Sequence, residues 1–298
     1  IGVKTGGFTS GTAEMYLSYA SGGITGVARV TEVTGAKTAN AIVLKNLGGT
    51  TGTLDWYEGE WSTRRGFPSS GCLYEGRLFH GGRGKIIGSV SDAYESFDDE
   101  IEGDSRPITR TIGRGAVDNI HWLCPSSRLV LGGEGAEWVA RSSSLDEPLT
   151  QDNINIKDPS NQGSAPIQSL KVDNAVMYVQ KSGIRLYATS YDFGSDDYKP
   201  NDLSSLVPEL HESGIKRLAV QRQPDTRIHV VLEDGTVAMM LFDSYDGSKG
   251  WVKITTDGDI EDVVVMPGTT EDYVYYTVKR VINGSTVRYF ERWAFESE

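Results

Sequence analysis

The sequence predicts an all-β fold: a β-propeller of about five to seven blades, preceded by a small β module. Three observations carry this. Glycine occurs 35 times against 10 prolines in 298 residues, the balance of a chain made of short strands and tight turns. Strand-rich units recur at 73–87, 120–141, 172–191, 215–253 and 260–295, with starts spaced by about 43 to 52 residues, the length of one four-stranded blade. Asp234-Gly235 and Asn283-Gly284 sit between alternating apolar runs, where type I′ hairpin turns need positive φ. A pair of β-sandwiches would also show strands and turns, but gives no reason for a blade-length repeat.

In chain order, residues 1–60 alternate small, β-branched and polar residues with frequent glycine and end at the aromatic cluster Trp56, Tyr57 and Trp61. They read as the small β module, and 61–298 as the propeller domain. Within the latter, Asp202 followed by Leu203, Leu206, Val207 and Leu210 has helical spacing behind a capping residue, with Gly214 closing it and Pro208 limiting its length. A short helix between blades is expected there. Trp251 is expected to plug the gap between neighbouring blades.

The formal net charge of −12 argues against grip on a phosphate backbone. No apolar run approaches the roughly 20 residues that span a bilayer, so no membrane span is expected. Cys72 and Cys124 match neither a disulfide framework nor a metal spacing and read as free thiols. No nucleophile elbow, zinc-protease helix, phosphate loop or dinucleotide fingerprint occurs. His80, His121, His211 and His229 are each isolated among strand residues. Ser244-Tyr-Asp246-Gly247-Ser-Lys-Gly-Trp251 is similar to the sialidase Asp-box, with its glycine one place early, and even a true Asp-box marks a blade hairpin rather than a catalytic centre. No catalytic residue, metal ligand or cofactor is therefore expected, and the chain reads as a non-enzyme.

One charge pattern stands out. Glu95, Asp98, Asp99, Glu100, Glu102 and Asp104 are followed at once by Arg106, Arg110 and Arg114. Calcium ligation lacks the spacing of the helix-loop-helix calcium site. A solvated loop is the plain reading. The sharper one is a subunit contact through Asp98, Asp99, Glu100, Asp104, Arg106, Arg110 and Arg114, in which one protomer's acids meet its neighbour's arginines.

Several short motifs follow one another across residues 61–293: Trp61-Ser62, Arg65-Gly66-Phe67-Pro68, Arg77-Leu78 with Gly81, Ser91 with Phe97, Ile120 with Trp122-Leu123, Leu129 with Gly132, Gly135 and Glu137-Trp138, Gln162-Gly163-Ser164, Tyr191-Asp192-Phe193, Asp202-Leu203, Asp234-Gly235, Gly250-Trp251, Asn283-Gly284, Arg288-Tyr289 and Glu291-Arg292. In this order they resemble the tail nozzle (tail hub) proteins of short-tailed bacteriophages. That resemblance implies a structural virion protein in the phage tail, made in the bacterial host cytoplasm. It implies assembly with itself as a hexameric ring, and contacts with a tail adaptor ring and with tail fibre, spike or needle proteins. DNA would pass through the lumen during ejection without sequence-specific binding. Members of that family are longer and carry a platform domain, of which residues 1–60 can supply only part. The alternative from another class is a glycan-binding or glycan-hydrolysing propeller, which predicts a funnel lined by arginine and aromatic side chains. A scaffold propeller binding short peptides on its blade tops is the third reading.

Overall fold

The computed structural model describes residues 16–21, 24–54, 56–62, 65–112, 119–144, 147–243 and 249–296. The chain divides into two compact units, Ile1–Pro68 and Ser69–Glu298. In the first, β1 (Tyr16–Ser21), β2 (Ile24–Gly35), β3 (Thr38–Lys45) and β4 (Trp56–Glu58) form one antiparallel sheet in the order β3-β2-β1-β4. Alternation along β2 buries Ala28 and Val30. The division falls a few residues beyond the boundary expected near residue 60. Ser62 Oγ donates to Glu58 Oε1 at 3.0 Å and Arg65 Nε to Glu58 Oε2 at 3.3 Å, which ties the following turn back to β4.

The second unit is a β-propeller fold of five successive antiparallel meanders among the described residues. The first sheet is β5 (Ser70–Tyr74), β6 (Arg77–Gly82), β7 (Lys85–Gly88) and β8 (Ile108–Thr111). The second is β9 (Ile120–Pro125), β10 (Leu129–Gly133), β11 (Glu137–Ser142) and β12 (Ile154–Ser160). The third is β13 (Leu170–Val172), β14 (Ala175–Val179), β15 (Leu186–Asp192) and β16 (Asp197–Asp202). The fourth is β17 (Ile215–Gln221), β18 (Arg227–Leu232), β19 (Val237–Phe242) and β20 (Lys249–Ile254). The fifth has three strands, β21 (Asp259–Met266), β22 (Tyr273–Ile282) and β23 (Ser285–Arg292). The first strands of the sheets fall where the blade-length spacing puts them.

Burial on both faces explains why the middle strands read as nearly continuous apolar runs. In β9, Ile120 and Leu123 face a cluster with Phe79, Ile86 and Ile108 of the first sheet, while Trp122 and Cys124 face Val176, Tyr178 and Tyr198 of the third. In β18, Ile228, Val230 and Leu232 pack against Met177, Val179 and Leu186 of the third sheet, and Val231 against Ile260, Val263 and Val274 of the fifth. Four apolar clusters thus join sheets one to two, two to three, three to four and four to five. Among the described strands no packing on that scale joins β21 back to β5. The outward side of the fifth sheet instead presents Val264, Met266, Tyr273 and Phe290, the last 63% exposed.

Turn chemistry differs from expectation in two places. Asn283-Gly284 has φ of 51° and 78°, the type I′ geometry predicted, and register pairs Ile282 with Ser285 across it. At Asp234-Gly235 only the glycine has positive φ (77°). Gly235 N donates to Leu232 O at 3.2 Å and Asp234 Oδ1 accepts from Thr236 N at 3.0 Å, so the loop is one residue longer than type I′. The expected helix is a single 3₁₀ turn, Pro208–His211. Asp202 ends β16 and accepts from Ser204 N at 2.8 Å, closing a turn before any helix begins, and Leu206 of the apolar pattern points to solvent. Trp251 does fill the joint between the third and fourth sheets: its ring lies edge-on to His211 at 4.6 Å, and Nε1 donates to Leu203 O at 3.2 Å.

Candidate functional site

The acid-rich loop is organised from beneath by Arg77, which is 2% exposed. Its guanidinium donates to the carbonyls of Ser89 (2.6 Å), Asp104 (2.6 Å), Arg106 (2.8 Å) and Ser105 (3.3 Å), pinning both ends of the loop between β7 and β8. Burial lowers the Arg77 pKa, and Asp92, Asp104 and Glu75 offset part of that shift. Phe97 from the loop stacks on His80 at 5.6 Å, covering part of the outward face of the first sheet. Of the residues expected to meet a neighbouring protomer, Asp98 Oδ1 caps Glu100 N at 3.1 Å, and Asp99 and Arg106 line a shallow depression with Pro107, Thr109 and Gln151. Arg106 pairs with Asp152, and Arg110 donates to the Gln151 carbonyl. These two arginines thus have partners in their own chain. Arg114 and residues 244–248 of the Asp-box-like run lie outside the described residues.

Two further sequence motifs meet in the joint between sheets two and three. Ser164 Oγ donates to Glu137 Oε1 at 2.8 Å, and Ser164 N donates to Gly133 O at 2.8 Å. Glu137 is 1% exposed, and burial raises its pKa against the lowering effect of Ser160 and Ser164. Glu137 Oε2, the Tyr178 hydroxyl and Trp122 Nε1 are buried there without a hydrogen-bond partner. Gly132 is required by the ring beside it, since a Cβ would lie 2.0 Å from Trp122 Cε2. These residues pack the joint.

The histidines are dispersed, and burial lowers the pKa of each. His229 is drawn down to about 4, with Nδ1 2.6 Å from the Tyr276 hydroxyl and Nε2 3.2 Å from Gln221 Oε1. Cys72 and Cys124 are free thiols. Burial is the largest cause of Cys72 being pushed up to about 12, and Cys124 is raised by burial as well, so neither is a ready nucleophile. Among the described residues no three His, Cys, Asp or Glu side chains converge on a cation site, and no helix is long and apolar enough to cross a membrane.

What the strand pattern does not reveal is a cleft of about 270 Å³ at the hairpin ends of the first two sheets. Tyr74 and Glu75 come from the β5–β6 turn and Ser127 and Arg128 from the β9–β10 turn; Arg141 and Ser142 end β11, Ser143, Ser144 and Glu147 lie in the connection after it, and Asn155 stands near the start of β12. The walls are fixed by their own bonds. Tyr74 Oη donates to Ser127 O at 3.3 Å, Ser127 Oγ and the Tyr198 hydroxyl are 3.2 Å apart, and Glu75 Oε2 accepts from Leu149 N at 2.7 Å. The Arg128 guanidinium lies 4.6 Å over the Tyr191 ring and 5.9 Å from the Tyr198 ring. Arg141 has no hydrogen bond or ion pair with another described residue, whereas Arg65, Arg106, Arg185, Arg217, Arg222, Arg227, Arg280 and Arg288 are all paired with carboxylates. The positive field is felt nearby. Asp196 is held below the usual carboxylate range chiefly by its bond from the Tyr191 hydroxyl, with Arg141, Arg128 and Lys157 adding to the effect.

No family model and no curated protein matches the chain. Among solved structures it is similar to a protein from Lactobacillus plantarum, at 13% identity over 94% of this chain and 82% of that one, with a TM-score of 0.46. It is also similar to a protein from Bacteroides uniformis described as a putative 6-phosphogluconolactonase, at 13% identity over 92% of this chain and 81% of that one, with a TM-score of 0.40. Neither is described as a tail protein, and both come from bacteria. The tail nozzle resemblance is corrected accordingly, together with the virion location and the DNA conduit that it implied. The motifs that suggested it are spent on architecture: Arg77 on the loop, Gly132 on the Trp122 ring, Glu137 and Ser164 on the joint between two sheets. The reading as a non-enzyme is corrected too, because one of the two similar structures is described as an enzyme.

Proposed function

We propose that this propeller recognises a saccharide in the cleft between the hairpin ends of its first two sheets. The observation that carries the reading is the convergence there of an aromatic ring (Tyr74), two guanidinium groups (Arg128, Arg141), two carboxylates (Glu75, Glu147), Asn155 and four serines. A sugar ring needs this mixture: a flat apolar surface, and donors and acceptors at close spacing for its hydroxyls. The volume of about 270 Å³ lies near the lower end of small-molecule sites, the scale of one or two sugar units. Two arginines and one aromatic ring in one concavity support the glycan reading, which expects a funnel lined by several such side chains. The test is a glycan array with the wild-type chain and with Ser143→Trp, which fills the cleft from an exposed position. Fluorogenic glycosides and sugar lactones run in parallel detect turnover. Saccharide binding lost in Ser143→Trp is expected; a wild-type chain that retains no saccharide at millimolar concentration overturns the reading.

A further inference from the structure

We infer that the saccharide is anionic, and that the Arg141 guanidinium receives its carboxylate or phosphate while Arg128 serves as a fixed wall. The inference rests on the saccharide reading of the same cleft. Its starting point is an imbalance. In a chain with a formal net charge of −12, cations are scarce and most described arginines are neutralised by a carboxylate of their own chain. Arg128 and Arg141 line one concavity without an ion pair, and of the two only Arg141 lacks an aromatic contact as well.

The two guanidinium groups of the cleft are not equivalent. Arg128 lies over the Tyr191 ring, with Tyr198 edge-on beside it, so its electrostatic attraction is partly spent on the rings before any ligand arrives. Arg141 stands on β11 opposite Asn155 of β12, its backbone fixed by the sheet and its side chain uncommitted. A planar fork of donors on a rigid strand suits two oxygens of a carboxylate or phosphate. Ser142, Ser143, Ser144 and Asn155 surround it with neutral donors and acceptors for ring hydroxyls. Glu147 lines the same cleft, which sets an opposing charge against any anion and makes a separate test available.

The experiment is a calorimetric titration of the full chain with four probes: a uronic acid disaccharide, its carboxyl-reduced neutral counterpart, a hexose 6-phosphate and inorganic phosphate. An anionic sugar should bind about tenfold or more tighter than the neutral counterpart, and the advantage should shrink as salt rises. Arg141→Gln should abolish that advantage and leave neutral-sugar affinity within about twofold, whereas Glu147→Gln should tighten the anionic probes by about two- to threefold. A merely structural Arg141 would lower both sugar affinities together. Preference between uronate and sugar phosphate identifies the source of the anion. Equal affinity for charged and neutral sugars overturns this inference and leaves saccharide recognition standing. No sugar binding, or inorganic phosphate binding as tightly as the sugar phosphate, overturns both.

Discussion

Replacing Arg77 by methionine removes the guanidinium and keeps the apolar stem, so it isolates the bonds that hold the acid-rich loop. The side chain is 2% exposed and donates to four backbone carbonyls. The bond to Ser89 O is buried, and breaking it strands a carbonyl at a cost of roughly 1.5–3 kcal/mol. The carbonyls of Asp104, Ser105 and Arg106 are only partly buried and can turn to water, so each loses about 0.5–1 kcal/mol. The bonds share one donor group and do not add fully, which gives about 3–5 kcal/mol in all. Urea unfolding reads this as a lower midpoint at unchanged slope. Hydrogen exchange should accelerate first at Ser91 N, which bonds to Ser105 O inside the loop, and at Asp92 N, which ties the loop to Gly76 O of the β5–β6 turn. Arg77→Lys should recover less than half of the loss, because one ammonium cannot span four carbonyls. A stability change below about 0.5 kcal/mol for Arg77→Met would refute the assignment of this side chain as the loop's anchor.

His229 is neutral in the fold, its pKa drawn to about 4 from an unfolded value near 6.5 by burial first and Arg227 second. Its stabilising contribution is complete above about pH 6.5 and is lost as pH falls toward 4, about 2–4 kcal/mol over that window; His229→Gln should flatten this part of a stability-versus-pH curve measured by thermal unfolding. Glu137 has the opposite sign: its folded pKa is raised by burial, so stability is complete below the unfolded carboxyl pKa and falls as pH rises through the folded one. Glu137→Gln should therefore gain on the order of 1 kcal/mol over wild type at pH 8 and nothing at pH 4, with an equal change at both values counting against it. Gly132→Ala must displace the buried Trp122 ring, and denaturant melts should show a loss of about 2–4 kcal/mol.

The repeat of sheets was legible in the sequence because apolar runs recur at blade spacing, written by two-faced burial in Ile228 to Leu232 and by one-faced alternation in β22. The Asn283-Gly284 turn was legible because both residues tolerate positive φ. The helix over 202–211 was misread because Asp202 caps a turn as readily as a helix, and local sequence does not say which. The cleft was hidden for a different reason. Tyr74, Arg128 and the stretch holding Arg141 and Glu147 come from three hairpin ends of two sheets, and no spacing links the three. Arg141 carries no signal of its own until eight other arginines are seen to be paired with carboxylates. The acids and arginines of 95–114 drew attention as a pattern, yet the residue that organises that loop is Arg77, an unremarkable strand residue in the sequence.

Among the described residues, a string of four apolar joints without a fifth of that scale between β21 and β5 sets the cooperativity of the second unit. A closed wheel unfolds by breaking two joints at once. A row of plates can shed an end plate by breaking one, so its stability is close to a sum over neighbours. Within the second unit the first and fifth sheets, each held at one such joint, are the margins, and the second, third and fourth sheets, gripped from both sides, are the last to melt. The cleft lined by Tyr74 and Arg141 opens between the first sheet, held at one such joint, and the second, held at two.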